Sequence, residues 1–147
     1  MTSLIRKNNI KLHLTKSNIV FEDNHLFIVN KPAGILAQGD KTGDKSLIDL
    51  AKEYLKITYS KKGNVFLGLV NRIDRPTSGI VILTKTSKAL SRMNSLIKKR
   101  EIKKFYWAII DKGFPKDKGT LDGWFRKNSK LNKSFIYEKE VTNSKFG

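Results

Sequence analysis

Cysteine is missing from this chain, and histidine occurs only twice, at His13 and His25. No disulfide framework can form, and two imidazoles are too few for the usual zinc sets, so metal catalysis is not expected. Acidic side chains are scarce as well, 13 against 30 basic ones. Proline occurs three times, and two of the three, Pro32 and Pro76, fall in short turn-like segments discussed below. No apolar run approaches the length that crosses a bilayer, so no membrane partner is expected. Met1 to Asn9 lack the hydrophobic stretch of a signal peptide, which makes the cytoplasm the expected location. A glycine-rich phosphate loop followed by Lys and Ser or Thr is also missing, which argues against a nucleoside triphosphatase.

What is present is positive charge. A formal charge of +17 and a pI near 10.1 make a polyanion the expected partner. Lysine supplies most of the basic residues, so a well-solvated lysine-rich surface is the alternative reading of charge alone. At 147 residues the chain has the length of one domain and can bury a real core. The first acidic residue is Glu22, as in a transit peptide, but Ile10, Leu12 and Leu14 alternate like a strand and arginine is rare.

Apolar periodicity places the elements. Ile19 to Glu22 and His25 to Asn30 read as two strands joined at Asp23 and Asn24. Lys31, Pro32, Ala33 and Gly34 then break the second strand. A helix is expected from Ser46 onward, with Leu47, Ile48, Ala51, Tyr54 and Leu55 on one face. Val65 to Val70 and Ile80 to Leu83 read as buried strands. A second helix begins with Ser87 as its expected N-cap and carries an apolar stripe of Ala89, Leu90, Met93, Leu96 and Ile97, taken as core-facing. Lys103 to Asp111, rich in aromatic and β-branched residues, reads as a strand, with others near Gly119 to Phe125 and Lys133 to Glu140.

Between the two central strands lies Asn71-Arg72-Ile73-Asp74-Arg75-Pro76-Thr77-Ser78-Gly79. One carboxylate stands between two guanidinium groups on a connection stiffened by Pro76 and turned by Gly79. Asp74 is a candidate nucleophile, its ionised form favoured by Arg72 and Arg75; a purely structural ion pair is the alternative. A dense basic run, Lys98, Lys99, Arg100, Lys103 and Lys104, is either a solvated face or a phosphate contact.

The nine residues 71–79 resemble the second motif of the RluA-type pseudouridine synthases, His-Arg-Leu-Asp-Arg-x-Thr-Ser-Gly, with Asn71 in place of His and Ile73 in place of Leu. The Asn-Lys-Pro-Ala-Gly segment at 30–34 resembles that family's first motif, and Lys104-Phe105-Tyr106-Trp107-Ala108 resembles its Lys-x-Tyr-x-Ala motif. The resemblance implies an α+β fold with a mixed, largely antiparallel sheet and flanking helices. It implies an isomerase that converts a uridine in rRNA or tRNA by base flipping, without a cofactor. Asp74 and Tyr106 would be its catalytic residues. Lys31, Pro32, Asn71, Arg72, Arg75, Thr77, Ser78, Gly79, Lys98, Lys99, Arg100, Lys103 and Lys104 would bind the substrate RNA. Protein partners are not indicated.

The family's third motif, a Gln-Ile-Arg segment, has no counterpart between Asp111 and Gly147. The expectation is therefore a lead-in over 1–18 and a partial catalytic domain over 19–147, belonging to a longer synthase. A non-catalytic, basic RNA-binding protein is the alternative function. A small ribosomal protein is a third, weakened by the ordered apolar strands around Asp74.

Overall fold

A computed structural model describes residues 13–110, 118–131 and 133–147. The fold is α+β, as expected, and the chain divides into two compact units, Met1–Lys104 and Phe105–Gly147. The first holds a four-stranded antiparallel sheet in the order β1-β2-β4-β3. Its strands are β1 (Ile19–Glu22), β2 (Leu26–Lys31), β3 (Gly68–Leu69) and β4 (Gly79–Thr84). The helices α1 (Leu47–Thr58) and α2 (Ser87–Lys98) complete the unit.

Each element has a local cause. The β1–β2 hairpin turns where Asp23 accepts hydrogen bonds from the His25 and Leu26 amides, at 2.7 and 2.6 Å. These bonds hold the Asp23 carboxyl below the usual carboxylate range. Helix α1 starts in a capping box, in which Ser46 accepts from the Asp49 amide while Asp49 accepts from the Ser46 amide and hydroxyl. In α2 the cap is Thr86, not Ser87: the Thr86 hydroxyl accepts from the Ala89 amide at 3.2 Å, and Ser87 is already helical.

Strands β2 and β4 form the spine. Alternation along β2 buries Phe27, Val29 and Lys31, which pair across the ladder with Leu83, Val81 and Gly79. Phe27, Val29, Val81 and Leu83 join Leu14, Ile35, Leu47, Leu50, Ala51, Leu55, Val65 and Leu67 in one core. The stripe of α2 is only half-buried; Leu90 covers Gly68 beside Thr84.

Two expected strands are shorter or missing. Of Val65 to Val70, only Gly68 and Leu69 are strand residues; their partner strand ends at Thr84, after which the Lys85 amide donates to the His25 carbonyl and Thr86 caps α2. Val65 and Leu67 are nevertheless buried. Residues 103–110 form no strand, and Phe105, Trp107 and Ile109 stand exposed without a ladder partner; Asp111 lies outside the described residues, as do Ile10 and Leu12. In the second unit the strands are β5 (Trp124–Asn128), β6 (Lys133–Tyr137) and β7 (Lys145–Phe146), in the order β6-β5-β7. Trp124 meets the edge of Phe146 there, with ring centroids 5.5 Å apart.

Candidate active site

Asp74 lies in the connection between β3 and β4, at the Gly79 end of β4, and it is exposed. Its carbonyl accepts from the Thr77 amide at 3.0 Å, closing a turn that contains Arg75 and Pro76. Gly79, at φ +140°, returns the chain to the sheet in a conformation that other residues rarely adopt. Thr77 and Ser78 are exposed within this turn.

Asn71 fixes the entrance of the loop. Val70 donates its amide to the Ile82 carbonyl, but the amide of Ile82 turns to the Asn71 side-chain oxygen at 2.8 Å rather than to the Val70 carbonyl. The Asn71 side-chain nitrogen donates to the Ile80 carbonyl at 3.0 Å. A side-chain amide thus stands in for one peptide unit of an antiparallel ladder, using both its donor and its acceptor. The backbone is released from the sheet one residue earlier as a result, and residues 72–78 leave as a loop.

The far side of the loop is tied to the 30–34 segment. The Arg75 carbonyl accepts from the Gly34 amide at 2.7 Å and from the Lys31 ammonium at 3.3 Å. Lys31 sits at the third inward-facing position of β2, where an apolar residue would continue the pattern, and it is fully buried. Its ammonium also donates to the carbonyls of Ile35, at 2.7 Å, and Pro32, at 3.0 Å. Loss of hydration lowers the Lys31 pKa, while the negative charge of Asp74 works in the opposite direction.

Several expected placements change. Lys31 does not present its charge at the surface; it is buried beneath the Asp74 loop, where its ammonium donates hydrogen bonds to three carbonyls. Arg75 does not turn to Asp74. Its guanidinium donates to the Gly34 carbonyl at 3.0 Å and pairs with Asp44 at 2.8 Å, because that loop offers it both a carbonyl and a carboxylate. Among the described residues no ion pair reaches Asp74, and Arg72 is exposed. Pro32 is half-buried in the same turn. Asp44, the partner of Arg75, lies ten residues beyond Gly34 in a polar loop, with no periodicity in the sequence to mark it.

Lys98, Lys99, Arg100, Lys103 and Lys104 are all exposed. Tyr106 is 65% exposed in the second unit, and its hydroxyl has no hydrogen-bond partner among the described residues. The described residues contain no cluster that could hold a metal ion and no helix long and apolar enough to cross a membrane. Chemically, the first unit offers a carboxylate outside any direct ion pair among the described residues, displayed to solvent from a loop tied down at both ends, with the Lys31 ammonium buried beneath that loop.

Comparison with known proteins gives this arrangement a context. A family model described as RNA pseudouridylate synthase matches residues 25–146. An uncharacterized RNA pseudouridine synthase of Mycoplasma genitalium is 41% identical over 100 residues, covering 65% of this chain and 30% of that protein. A mitochondrial pseudouridylate synthase of Xenopus tropicalis is 35% identical over 100 residues, covering 68% of this chain and 31% of that protein. Ribosomal large subunit pseudouridine synthase C of Buchnera aphidicola is 36% identical over 94 residues, covering 64% of this chain and 28% of that protein. The chain therefore spans about 30% of the length of these curated relatives. The solved structure of human RNA pseudouridylate synthase domain containing 4 has the same fold over 88% of this chain and 51% of its own length, with a TM-score of 0.69 at 21% identity.

Proposed function

Because this chain belongs to the RNA pseudouridylate synthase family, of the RluA type, we propose that it carries the catalytic aspartate of an enzyme that isomerises a uridine in structured RNA. The observation that carries the proposal is the exposed Asp74 carboxylate on a loop tied at Asn71 and again at Arg75. A carboxylate so held can engage the sugar carbon C1′ as nucleophile or as electrostatic partner, much as carboxylates do in glycoside cleavage. The bond between uracil N1 and C1′ breaks, the base turns, and a new bond forms from C5 to C1′. The C5 proton then leaves to solvent and N1 takes up a proton, so the product is an isomer and no cofactor enters the balance.

A uridine stacked in folded RNA must leave its stack before its C1′ can be reached. The exposed guanidinium of Arg72 suits the space or phosphates of the flipped nucleotide, being planar and multidentate. Tyr106 is assigned to the target base, where its phenol assists proton removal. Lys31, buried under the loop, acts by positioning Asp74 rather than by touching RNA. The substrate is rRNA or tRNA and the setting cytoplasmic. The share of the relatives' length that is matched supports reading these residues as one part of a longer catalytic domain.

The test is release of tritium from RNA labelled at uridine C5, assayed with this chain and with a version extended beyond Gly147. Release that disappears in Asp74→Ala and in Asp74→Asn supports the assignment. RNA binding with no release from either version, unaffected by Asp74→Ala, would leave a binding protein instead.

A further inference from the structure

The two helices of the first unit differ sharply in charge. Helix α1 mixes signs, with Asp49 and Glu53 beside Lys52 and Lys56, and Glu53 pairs with Lys45 at 2.6 Å. Helix α2, Ser-Lys-Ala-Leu-Ser-Arg-Met-Asn-Ser-Leu-Ile-Lys, contains no acidic residue at all. At about 100° per residue, Lys88, Arg92 and Lys99 fall within about 40° of one another around the helix axis, over a length of about 16 Å. Ser91 and Ser95 lie beside them, and all five residues are exposed. None of these cations takes part in an ion pair among the described residues. The face of α2 is thus cationic without interruption, whereas acids interleave the cations of α1.

Both ends of α2 hold a cation where the backbone favours something else. Lys88 is the second helical residue, beside the positive end of the helix dipole, and the first turn holds no acid. At the other end the chain closes in a Schellman arrangement. The Glu101 amide donates to the Leu96 carbonyl and the Arg100 amide to the Ile97 carbonyl, both at 3.0 Å. Arg100 occupies the left-handed position of that cap, at φ +58°, where glycine is the usual residue. Ser60 closes α1 in the same left-handed cap, at φ +48°, so what is peculiar to α2 is the cation at that position and not the backbone.

We infer that the outward face of α2, from Lys88 through Ser91, Arg92 and Ser95 to Lys99 and Arg100, is a track for RNA phosphates. This rests on the proposal that the protein acts on RNA. Ammonium and guanidinium groups attract the backbone, and the two serine hydroxyls between them donate to phosphate oxygens without reading sequence. The track follows the Thr84 end of β4, whereas Asp74 precedes its Gly79 end.

Binding of a structured rRNA fragment, measured across a salt series, tests the inference. Lys88→Ala/Arg92→Ala should weaken binding roughly tenfold and flatten the slope of log K against log salt by about 1.4–1.8, the range for two phosphate contacts on single-stranded to duplex nucleic acid. The same loss of charge elsewhere, in Lys56→Ala/Lys62→Ala, should leave the slope nearly unchanged. Arg100→Gly should weaken binding while raising the melting temperature, a pair of opposite shifts that a misfolded variant cannot produce. Equal effects from the two double variants, with wild-type binding intact, would overturn the track alone. Wild-type protein that binds no RNA would overturn both the track and the function on which it rests.

Discussion

Gly34 and Arg75 exchange two hydrogen bonds: the Gly34 amide donates to the Arg75 carbonyl at 2.7 Å, and the Arg75 Nε donates to the Gly34 carbonyl at 3.0 Å. Two segments 41 residues apart in sequence are thereby joined beside Asp74. Gly34 can offer both groups to one partner because its backbone sits at φ +89°.

Nothing lies within 4 Å of a Cβ placed at Gly34, so a substitution there meets only the backbone penalty. Gly34→Ala should destabilise the protein by about 1 kcal/mol, the cost of holding a side chain at positive φ. Urea unfolding reads it as a lower midpoint with an unchanged slope. An unmoved midpoint would show that the junction does not depend on glycine at this position.

Lys31→Met removes the donor shared by the Pro32, Ile35 and Arg75 carbonyls, and a loss of about 1–3 kcal/mol is expected from leaving buried acceptors unpaired. The loss has a pH signature. The Lys31 pKa is lowered in the folded protein, chiefly by lost hydration, so the unfolded chain holds this proton to higher pH. Stability contributed by Lys31 therefore grows with rising pH between its folded pKa and the ordinary value of 10.5. The wild-type advantage over Lys31→Met should widen as the pH climbs towards that value, in paired urea titrations; a narrowing gap would contradict the sign.

The capping box makes an acid-side prediction. Asp49 is held below the usual carboxylate range, first by the Ser46 hydroxyl and then by the Ser46 amide. A carboxylate whose folded pKa is depressed contributes stability that is complete above its unfolded pKa and is lost as the pH falls through the folded one. Thermal melts should therefore show wild type losing stability below about pH 4 more steeply than Asp49→Asn. At neutral pH, Ser46→Ala should cost about 1 kcal/mol through loss of the cap.

Asn71 is testable one hydrogen bond at a time. Asn71→Ala should speed amide hydrogen exchange at Ile82, because the side-chain acceptor is gone. Asn71→Asp keeps that acceptor and loses the donor to the Ile80 carbonyl, so Ile82 should stay protected while stability falls by about 1 kcal/mol. Equal exchange at Ile82 in both variants would remove Asn71 as the substitute rung of the ladder.

Features that short-range chemistry dictates are legible along the chain. The β1–β2 hairpin follows from Asp23 and the alternation on either side of it, α1 from Ser46 and its apolar face, and the Asp74 loop from Pro76 and Gly79 between two apolar runs. Those features depend on residues a few positions apart, and such interactions can be read along a line. The tertiary structure decided whatever needs a partner from elsewhere in the chain. Residues 65–67 miss the ladder because β4 ends at Thr84, and residues 103–110 pair with no strand among the described residues. Lys31 points inward because carbonyls from two separate loops converge on its ammonium, and Arg75 turns from its neighbour Asp74 to Asp44, 31 residues away. A charge selects its partner by distance in space, and only the folded chain fixes that distance.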